Sequence, residues 1–330
     1  MIKIKKFVFI CIAVLLAGTA WSEDNSNYRD LSVYFENDLV SRTDYEYTNG
    51  FLFQYVSSDI ETKDLPKWCL AIKNNLFLFD YEGYKNNVGI GFGQDMFTPR
   101  DLEDPNLSED DRPYAGWTYI ALSLHHKDTT NLHKLELKLG IVGESSFAEE
   151  TQDLIHTFTR STEARGWHHQ LKDEPGINLA YEYRKRYIFL NNWVDVIPKG
   201  RIDVGNVYTG ALTGATLRYG YNLPNDFHSN RILSAGAGST TNYKSEDSFS
   251  LYVFTTVTGY VIARDIFLDG NTFKNSHSVD KEYYKGEIEF GAGISYNRVY
   301  FTYTQIYVTK TYDTQKSSHS YGSFNLGVRY

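Results

Sequence analysis

The feature that most constrains this chain is an alternation of apolar and polar residues that recurs along most of its length. In KLELKLGIV (134–142), every second side chain is apolar, while Glu136 and Lys138 point the other way. Because successive side chains of a strand lie on opposite faces, this period predicts β-strands. RVYFTYTQIYV and YKGEIEFGAGISY alternate in the same way. The pattern predicts twelve strands, near 29–40, 47–57, 86–97, 116–127, 132–142, 177–187, 199–208, 210–221, 250–262, 282–295, 298–309 and 319–330.

The predicted strands are about ten residues long, the length that a tilted strand needs to cross a bilayer. An even number of strands is typical of the closed barrels of bacterial outer membranes. The chain has 27 Tyr and 20 Phe although its mean hydropathy is negative, as expected when lipid-facing aromatic residues alternate with polar lumen residues. Its last strand ends on an aromatic residue, Tyr330, which resembles the assembly signal of such barrels. A soluble, aromatic-rich sandwich is the alternative.

The N-terminus has the features of a secretory signal. MIKIKK carries three lysines, FVFICIAVLLAG is apolar, and small residues lead to Ser22. The apolar run is about a dozen residues, whereas a membrane-spanning helix needs about 20. We predict that residues 1–22 are removed and that 23–330 form a single β-barrel domain. An N-terminal anchor is the alternative.

Charge and cysteine content exclude other classes. A formal net charge of −8 argues against nucleic acid as a partner. Of the two cysteines, Cys11 lies in the predicted signal and only Cys69 remains. The mature chain is therefore expected to have neither a disulfide framework nor a thiolate metal cluster.

Because antiparallel strands alternate in direction, their connections divide between the two ends of the barrel. With both termini periplasmic, the outer connections are 41–46, 98–115, 143–176, 263–281 and 310–318. Two inner connections, Asp128–Asn131 and Tyr296–Asn297, are short, as expected for periplasmic turns. Inner connections near 58–85 and 222–249 are long, and LPKWCLAIKNNL in the first predicts a short amphipathic helix.

Three polar clusters, far apart in sequence, fall at the outer end of the predicted barrel. The first is ENDL (36–39) with YTNG (47–50). The second is GQDMFTPRDL with DDRPYAGW, within 93–117, and the third is the long connection beginning at Glu149. Polar residues are common at strand ends, so this convergence alone does not establish a site.

In the third cluster, Gln152 and His156 are four residues apart, which places both on one face of a helical turn. A neutral histidine accepts a proton near physiological pH and is the usual general base. His168 and His169 compete with His156 equally on composition. The alternative for each is a histidine on a solvated surface.

Carboxylates and carbonyls at a barrel rim suit an oxygen-ligated cation such as calcium. Asp38, with one of Glu149, Glu150 or Glu163, is a candidate source of the charge. The sequence contains no EF-hand spacing, HExxH motif or cysteine pair. Asp38 is alternatively a turn residue.

At these clusters the sequence resembles the outer-membrane lipid A 3′-O-deacylase family. The matching motifs are ENDL followed by YTNG, GQDMFTP with DDRPYAGW, and TQDLIHTF with GWHHQLKDEPG, between residues 31 and about 180. Any one motif is weak, but all three in this order are specific. The C-terminal half matches as a generic barrel.

The resemblance implies a twelve-stranded, antiparallel transmembrane barrel of the Gram-negative outer membrane, with a short helix in its longest external connection. It also implies an active site facing the exterior and dependence on Ca²⁺. Carried over by position, the catalytic residues are His156, Gln152 and Asn37, and the calcium ligands are Asp38, the Thr48 carbonyl and Glu163. Arg100 and Arg112 match the family's basic pair only in position.

The expected function is hydrolysis of an ester-linked acyl chain at the 3′-position of lipid A by a monomeric enzyme in contact with lipopolysaccharide. His156 would activate water, while calcium would stabilise the oxyanion. One rival is an outer-membrane phospholipase, whose H-x-S-N pattern does not occur here; His228, His277 and His319 are each followed directly by serine. The non-enzymatic rival is a small porin or adhesin barrel.

Overall fold

The structure is a computed structural model that describes residues 28–38, 46–76, 79, 81, 83–159, 163–233 and 249–330. For residues 158 and 159 the structure describes the backbone but not the side chains. The predicted signal, residues 1–22, lies outside this part of the chain, so its removal stays a prediction.

Thirteen strands form one antiparallel sheet that closes on itself, because β1 pairs along its whole length with β13. The strands are β1 (Asp30–Asn37), β2 (Glu46–Val56), β3 (Lys85–Thr98), β4 (Ala115–Lys127), β5 (Asn131–Val142), β6 (Glu174–Lys185), β7 (Tyr187–Phe189), β8 (Val194–Gly205), β9 (Tyr208–Tyr221), β10 (Phe249–Asp265), β11 (Tyr284–Tyr296), β12 (Val299–Val308) and β13 (His319–Arg329).

The three-residue β7 only extends the edge of β8, and β6 pairs directly with β8. The other twelve strands make the barrel, which confirms the predicted twelve-stranded antiparallel architecture. The largest difference between a predicted and an observed strand boundary is at β8, which begins at Val194 rather than near 199.

Within the described ranges, three α-helices accompany the barrel: α1 (Lys67–Asn75), α2 (Ala148–Thr159) and α3 (Ile266–Asp269). The first is the helix predicted in the long connection before β3, and α2 is the helical segment predicted in the longest connection. No helix in the described ranges has the length and hydropathy required to cross a membrane.

The two ends of the barrel differ in their connections. We call the end where β1 finishes and β2 begins the loop rim, and the opposite end the turn rim. The longest loop-rim connection runs between β5 and β6 and carries α2. At the turn rim, β4 and β5 are joined by residues 128–130, and β11 and β12 by 297–298.

The wall has two chemically opposite faces. On the outer face, alternate residues are apolar and exposed, such as Ile90, Phe92 and Ile120. On the lumen face the alternate residues are charged and paired. Arg201, for example, donates to Asp203 at 2.8 Å and to Glu136 at 3.1 Å. This is the alternation that the sequence showed, with the apolar side toward lipid.

The lumen is filled by part of the connection between β9 and β10. We call residues 223–233 the lumen segment. Near the turn rim, Arg218 donates to Asp226 at 2.5 Å, and Arg184 donates to the Phe227 carbonyl at 2.8 Å. The segment therefore enters the barrel from the turn rim.

Further residues of the lumen segment bond to the wall as the segment rises. The Ser229 carbonyl accepts from Asn325 at 2.8 Å, and Asn230 donates to Glu289 at 2.8 Å. Nearer the loop rim, the backbone N–H of Ile232 donates to Glu36 at 2.9 Å. The core of this protein is thus a polar, hydrogen-bonded lumen.

Candidate functional site on the outer face of the wall

Near the loop rim, the outer face of β3 departs from the pattern of exposed apolar residues. Alternate residues of a strand share a face, and Ile90 and Phe92 on the outer face are about half exposed. Gln94, Met96 and Thr98 continue the same face but are buried. Another part of the chain therefore covers the wall here.

The covering element is α2, which packs on the outside of β3 and β4. Gly116 is its closest approach, since a Cβ at Gly116 would lie 2.2 Å from the Ala148 Cβ. Only glycine allows the helix to sit this close. Met96, Ala148 and Trp167 form one buried cluster between the helix and the wall. Gln94 also donates to the Ser146 carbonyl at 2.7 Å, just before the helix begins.

The buried face of α2 carries the predicted catalytic pair. Ala148, Gln152 and His156, spaced by four residues, form one stripe, and Gln152 and His156 are 1% and 7% exposed. The predicted common face is confirmed. The Gln152 side-chain oxygen accepts a hydrogen bond from the Trp167 indole N–H at 2.7 Å, so its orientation is fixed. Leu154, on the other side of the helix, is 57% exposed.

The wall opposite the helix presents a row of direct cross-strand neighbours on its outer face. Asn37 pairs with Asn49, Asn49 with Met96, and Met96 with Gly116. We call these four residues the outward row. One end of the row is polar, and the other end packs against the start of α2.

The local backbone explains why polar residues collect at this end of the row. The ladder between β2 and β3 shifts register between Tyr47 and Asn49, so Thr48 is a bulge residue. Its hydroxyl hydrogen-bonds to that of Thr98 at 2.6 Å, and its carbonyl accepts from the Asn37 amide at 3.1 Å. The structure therefore brings Asn37 and Thr48, both predicted from the sequence, into direct contact.

Asp38 and Asn49 are the buried polar residues next in sequence to Asn37 and Thr48. Asp38 follows Asn37 directly and is fully buried. Asn49 is 2% exposed, and its side-chain amide has no hydrogen-bond partner in the part of the chain that the structure describes. The sequence analysis included Asn49 only as part of YTNG. Asn49, Phe51 and Phe53 are alternate residues of one strand and therefore share a face. This alternation was the available sequence signal that Asn49 faces outward.

The acidic residues of the long connection do not join the wall cluster. The Glu163 side chain is 76% exposed and lies 3.8 Å from Arg165. Among the described residues, no three His, Cys, Asp or Glu side chains form a group that could hold a metal. Glu149 and Glu150 lie in the first turn of α2, off its buried stripe, and burial together with Asp153 raises the pKa of Glu149.

The oxygen atoms that meet at the wall are the Thr48 carbonyl and the Thr48 and Thr98 hydroxyls, and the buried Asp38 carboxylate directly follows Asn37 in the sequence. Calcium prefers such ligands, so the residue types fit that ion even though Glu163 stands apart. The assignment of all three ligands stays a prediction.

The other candidate histidines occupy different places. His168 and His169 stack on each other with ring centroids 4.0 Å apart, in a short turn after α2. His168 is exposed, and His169 lines a cavity over the loop rim. Among these three, His156 is the residue that the structure buries on the wall-facing stripe of α2.

Arg100 and Arg112, matched by position to the family's basic pair, also lie in different surroundings. Arg112 is buried, pairs with Glu46 at 3.2 Å and lies 4.5 Å over the Phe97 ring. Its charge is therefore committed to an internal carboxylate. Arg100 is exposed at the loop rim. The two do not act as a matched pair beside the outward row.

A closed antiparallel barrel with apolar side chains on its outer face and charged side chains in its lumen has the architecture of an outer-membrane barrel. The family profile described as outer membrane protein LpxR matches residues 7–330. This chain belongs to that family, which confirms the resemblance indicated by the motifs and implies an outer-membrane lipid A deacylase.

One solved structure shares this fold over nearly its whole length. LpxR from Salmonella typhimurium matches with a TM-score of 0.73 at 18% identity, covering 91% of this chain and 99% of that one. The β domain of the Bordetella autotransporter BrkA matches with a TM-score of 0.45 at 12% identity, covering 93% and 99%. A likeness that weak identifies neither fold nor function. A sequence search of curated proteins returned no match.

Proposed function

We propose that this protein hydrolyses the ester that links an acyl chain to the 3′-position of lipid A, with the loop rim facing the cell exterior. The observation that carries the proposal is the burial of Gln152 and His156 on a helix face that packs against the outside of the wall. A site in that position is reached from the bilayer, where an acyl chain lies.

Ideal helix and strand spacings are compatible with a meeting of the helix stripe with the polar end of the outward row. From Ala148 to His156 a helix rises about 12 Å, at ~1.5 Å per residue. From Gly116 to Asn37 the row crosses three strand spacings, about 14 Å at ~4.8 Å each. With Ala148 on Gly116, a helix that follows the row brings His156 over Asn49 and Asn37.

In the proposed reaction, His156 removes a proton from a water molecule as that water attacks the ester carbonyl carbon. The resulting imidazolium then returns the proton to the leaving sugar oxygen. Gln152, held by Trp167, orients the water or the imidazole. General base catalysis of this kind contributes about 10²–10⁴-fold in rate.

Two amides on the wall have different parts in this mechanism. The Asn37 amide already donates to the Thr48 carbonyl, so it positions the bulge. The Asn49 amide is directed to the same face and donates to the ester oxygen as negative charge develops there. Removal of one such donor typically costs about 10²–10³ in rate.

Asp38 and the Thr48 carbonyl would hold calcium, with Glu163 moving inward from its exposed position to complete the ligands. Bound calcium would supply Lewis-acid stabilisation of the oxyanion. The burial of Asp38 places its charge in a low-dielectric setting, where a cation is held most strongly.

The acyl chain has an apolar surface immediately below the polar cleft. Phe51, two residues along β2 from Asn49, lies 5.8 Å from Phe53 and 6.0 Å from Phe92 between ring centroids. Leu154 and Phe147 add exposed apolar surface from the helix side. The ester would thus rest at the boundary between aromatic and polar wall.

The lumen argues against the porin alternative. The lumen segment is buried and bonded to several strands, so it obstructs the barrel interior that a porin would leave open. His228 and His319 face the lumen and not the cleft, which disfavours them as partners of a serine nucleophile.

Mass spectrometry of lipid A tests the proposal. Cells that make hexa-acylated lipid A should lose the mass of the 3′-linked acyl chains when this chain is expressed, while cells with an empty vector should not. EDTA should abolish the activity of outer-membrane preparations, and Ca²⁺ but not Mg²⁺ should restore it. An unchanged lipid A profile would refute the hydrolase, and activity that survives EDTA would refute the calcium requirement alone.

A further inference from the structure

We propose that α1 lies in the phospholipid headgroup layer at the turn rim, where Trp68 and Lys67 are its contacts with lipid. The helix belongs to the connection between β2 and β3, and β2 ends and β3 begins at that rim. Because α1 and α2 lie at opposite ends of the barrel, this contact is independent of the proposed hydrolysis.

The apolar side of α1 packs on the outside of the wall. Leu65, just before the helix, and Cys69 within it form one buried cluster with Leu124 of β4. Leu124 continues the outward face of Ile120 and Leu122, both of which are exposed. The helix is therefore held against the lipid-facing side of the barrel, outside the lumen.

Along the wall, α1 begins where the exposed apolar surface ends. The outward residues of β3 that remain exposed are Ile90 and Phe92. The next outward residue toward the turn rim, Val88, packs against the cluster that includes Cys69. Two residues of a strand span about 7 Å, so the helix lies directly beside the hydrocarbon-facing surface of β3. That height corresponds to the boundary between hydrocarbon and headgroups.

The exposed side of α1 has a residue suited to this boundary. Trp68 is 49% exposed, and within the described ranges its indole has no hydrogen bond and no ring contact. An indole combines an apolar ring with a polar N–H and is favoured where hydrocarbon meets headgroups. Other strands carry exposed aromatic residues at the same rim: Trp193, Tyr221 and Tyr296. Trp68 thus continues the aromatic girdle of the barrel across the face that α1 covers.

The charge of α1 favours a phosphate as the polar partner. Its nine residues include two lysines and no carboxylate. Lys73 faces inward and donates to the Phe79 carbonyl at 2.8 Å. Lys67 is exposed next to Trp68 and has no ion pair with any residue that the structure describes. A lysine at a membrane surface is attracted by anionic headgroups, so a lipid surface fits this side of the helix better than a soluble protein does.

Fluorescence of the protein in phosphatidylcholine vesicles tests the position of α1. The lipid carries bromine near the headgroup end of its acyl chains, and bromine quenches an indole on contact. Emission of wild type minus that of Trp68→Phe isolates the contribution of Trp68. We expect brominated lipid to quench this contribution and aqueous acrylamide to leave most of it.

Two other tryptophans calibrate the measurement. Trp193→Phe removes an exposed residue of the girdle, whose emission should be quenched in the same way, and Trp117→Phe removes a buried residue of the lumen, whose emission should not. Emission of Trp68 that brominated lipid leaves unchanged would overturn the inference. Strong quenching by acrylamide in that case would place α1 in water or against a soluble partner.

A second measurement tests the lysine. Brominated phosphatidylglycerol, added as a minor fraction to unlabelled phosphatidylcholine, should quench Trp68 more than the same fraction of brominated phosphatidylcholine. Lys67→Gln should lower this preference about fivefold, whereas Lys310→Gln, exposed at the loop rim, should leave it unchanged. A preference that survives Lys67→Gln would contradict the phosphate contact. Neither quenching experiment requires hydrolysis, so failure of the proposed enzyme would leave both results valid.

Discussion

Two polar regions lie on opposite sides of the same wall: the lumen, and the outer face near the loop rim. Two adjacent residues of β1 illustrate the difference, because one faces each region. Glu36 faces the lumen, where it accepts from the Ile232 N–H at 2.9 Å and from the Ser323 hydroxyl at 3.2 Å. Asn37 faces outward, beside Asn49. The lumen is built from opposite charges in contact, whereas the outer face near the loop rim carries amides and hydroxyls and is covered by the helix that bears Gln152 and His156.

This difference separates stability from chemistry. Charges that are buried and mutually satisfied hold a structure in one arrangement, and removing one partner is strongly destabilising. Neutral donors without an internal partner, such as the Asn49 amide within the described residues, are suited to a ligand or to developing charge. We therefore expect lumen variants to affect folding and cleft variants to affect turnover.

The largest effect on folding is expected from Arg218→Leu. Arg218 is fully buried and donates to Asp195 at 2.8 Å and to Asp226 at 2.5 Å. Its loss leaves buried carboxylates with less compensation and should lower the free energy of unfolding by about 3–5 kcal/mol, measured by urea titration in lipid vesicles. Lys85→Met, which removes the exposed pair with Glu61, should have no measurable effect. A stable Arg218→Leu barrel would contradict a structural role for the lumen charges.

Two asparagines sharpen the comparison. Asn49→Ala should lower kcat about 10²-fold with little change in stability, because its amide makes no hydrogen bond within the described part of the chain. Asn325→Ala should do the reverse, because it removes a bond to the Ser229 carbonyl in the lumen. Rates per folded molecule, with unfolding curves for both variants, measure this. If Asn49→Ala destabilises the barrel and leaves the rate intact, the outer face is structural as well.

The smallest effect is expected at the turn rim, away from both regions. Burial acts to raise the pKa of Asp128, but hydrogen bonds from the N–H groups of Thr130 and Asn131 outweigh it, so the pKa is lowered. A carboxyl with a lowered folded pKa adds stability above its unfolded pKa and loses it as pH falls through the folded value. Asp128→Ala should cost about 1 kcal/mol at pH 7, and the difference from wild type should shrink below about pH 4. A constant difference down to pH 2 would exclude this ionised cap.

The strands and the helix stripe could be predicted from sequence because each depends on a local period. Alternation located β5 within a residue of its observed bounds, and the four-residue spacing placed Gln152 and His156 on one face. Family motifs added Asn37, Asp38 and Thr48. These residues lie where β1 ends and β2 begins. The two strands are consecutive along the chain and are also neighbours in the wall.

Other features escaped because they depend on contacts between distant segments. The sequence from Ser229 to Ile232 is polar and has no period, and it is buried only because lumen groups of several strands satisfy it. Asn49 was included only within YTNG, although its alternation with Phe51 and Phe53 indicates the outer face; the bulge at Thr48, which changes the face of Tyr47 relative to Asn49, has no signal in the sequence. The exposed position of Glu163 likewise depends on how the connection folds after α2.

The most direct test of this account is the rate of acyl release from lipid A by purified, folded His156→Ala, with His168→Ala as the matched control. His156 is buried on the face of α2 that packs against the wall, and His168 is exposed beyond it. We predict that His156→Ala lowers kcat by about 10²–10⁴-fold and that His168→Ala retains the wild-type rate. Undiminished release by folded His156→Ala would contradict the outer-face site.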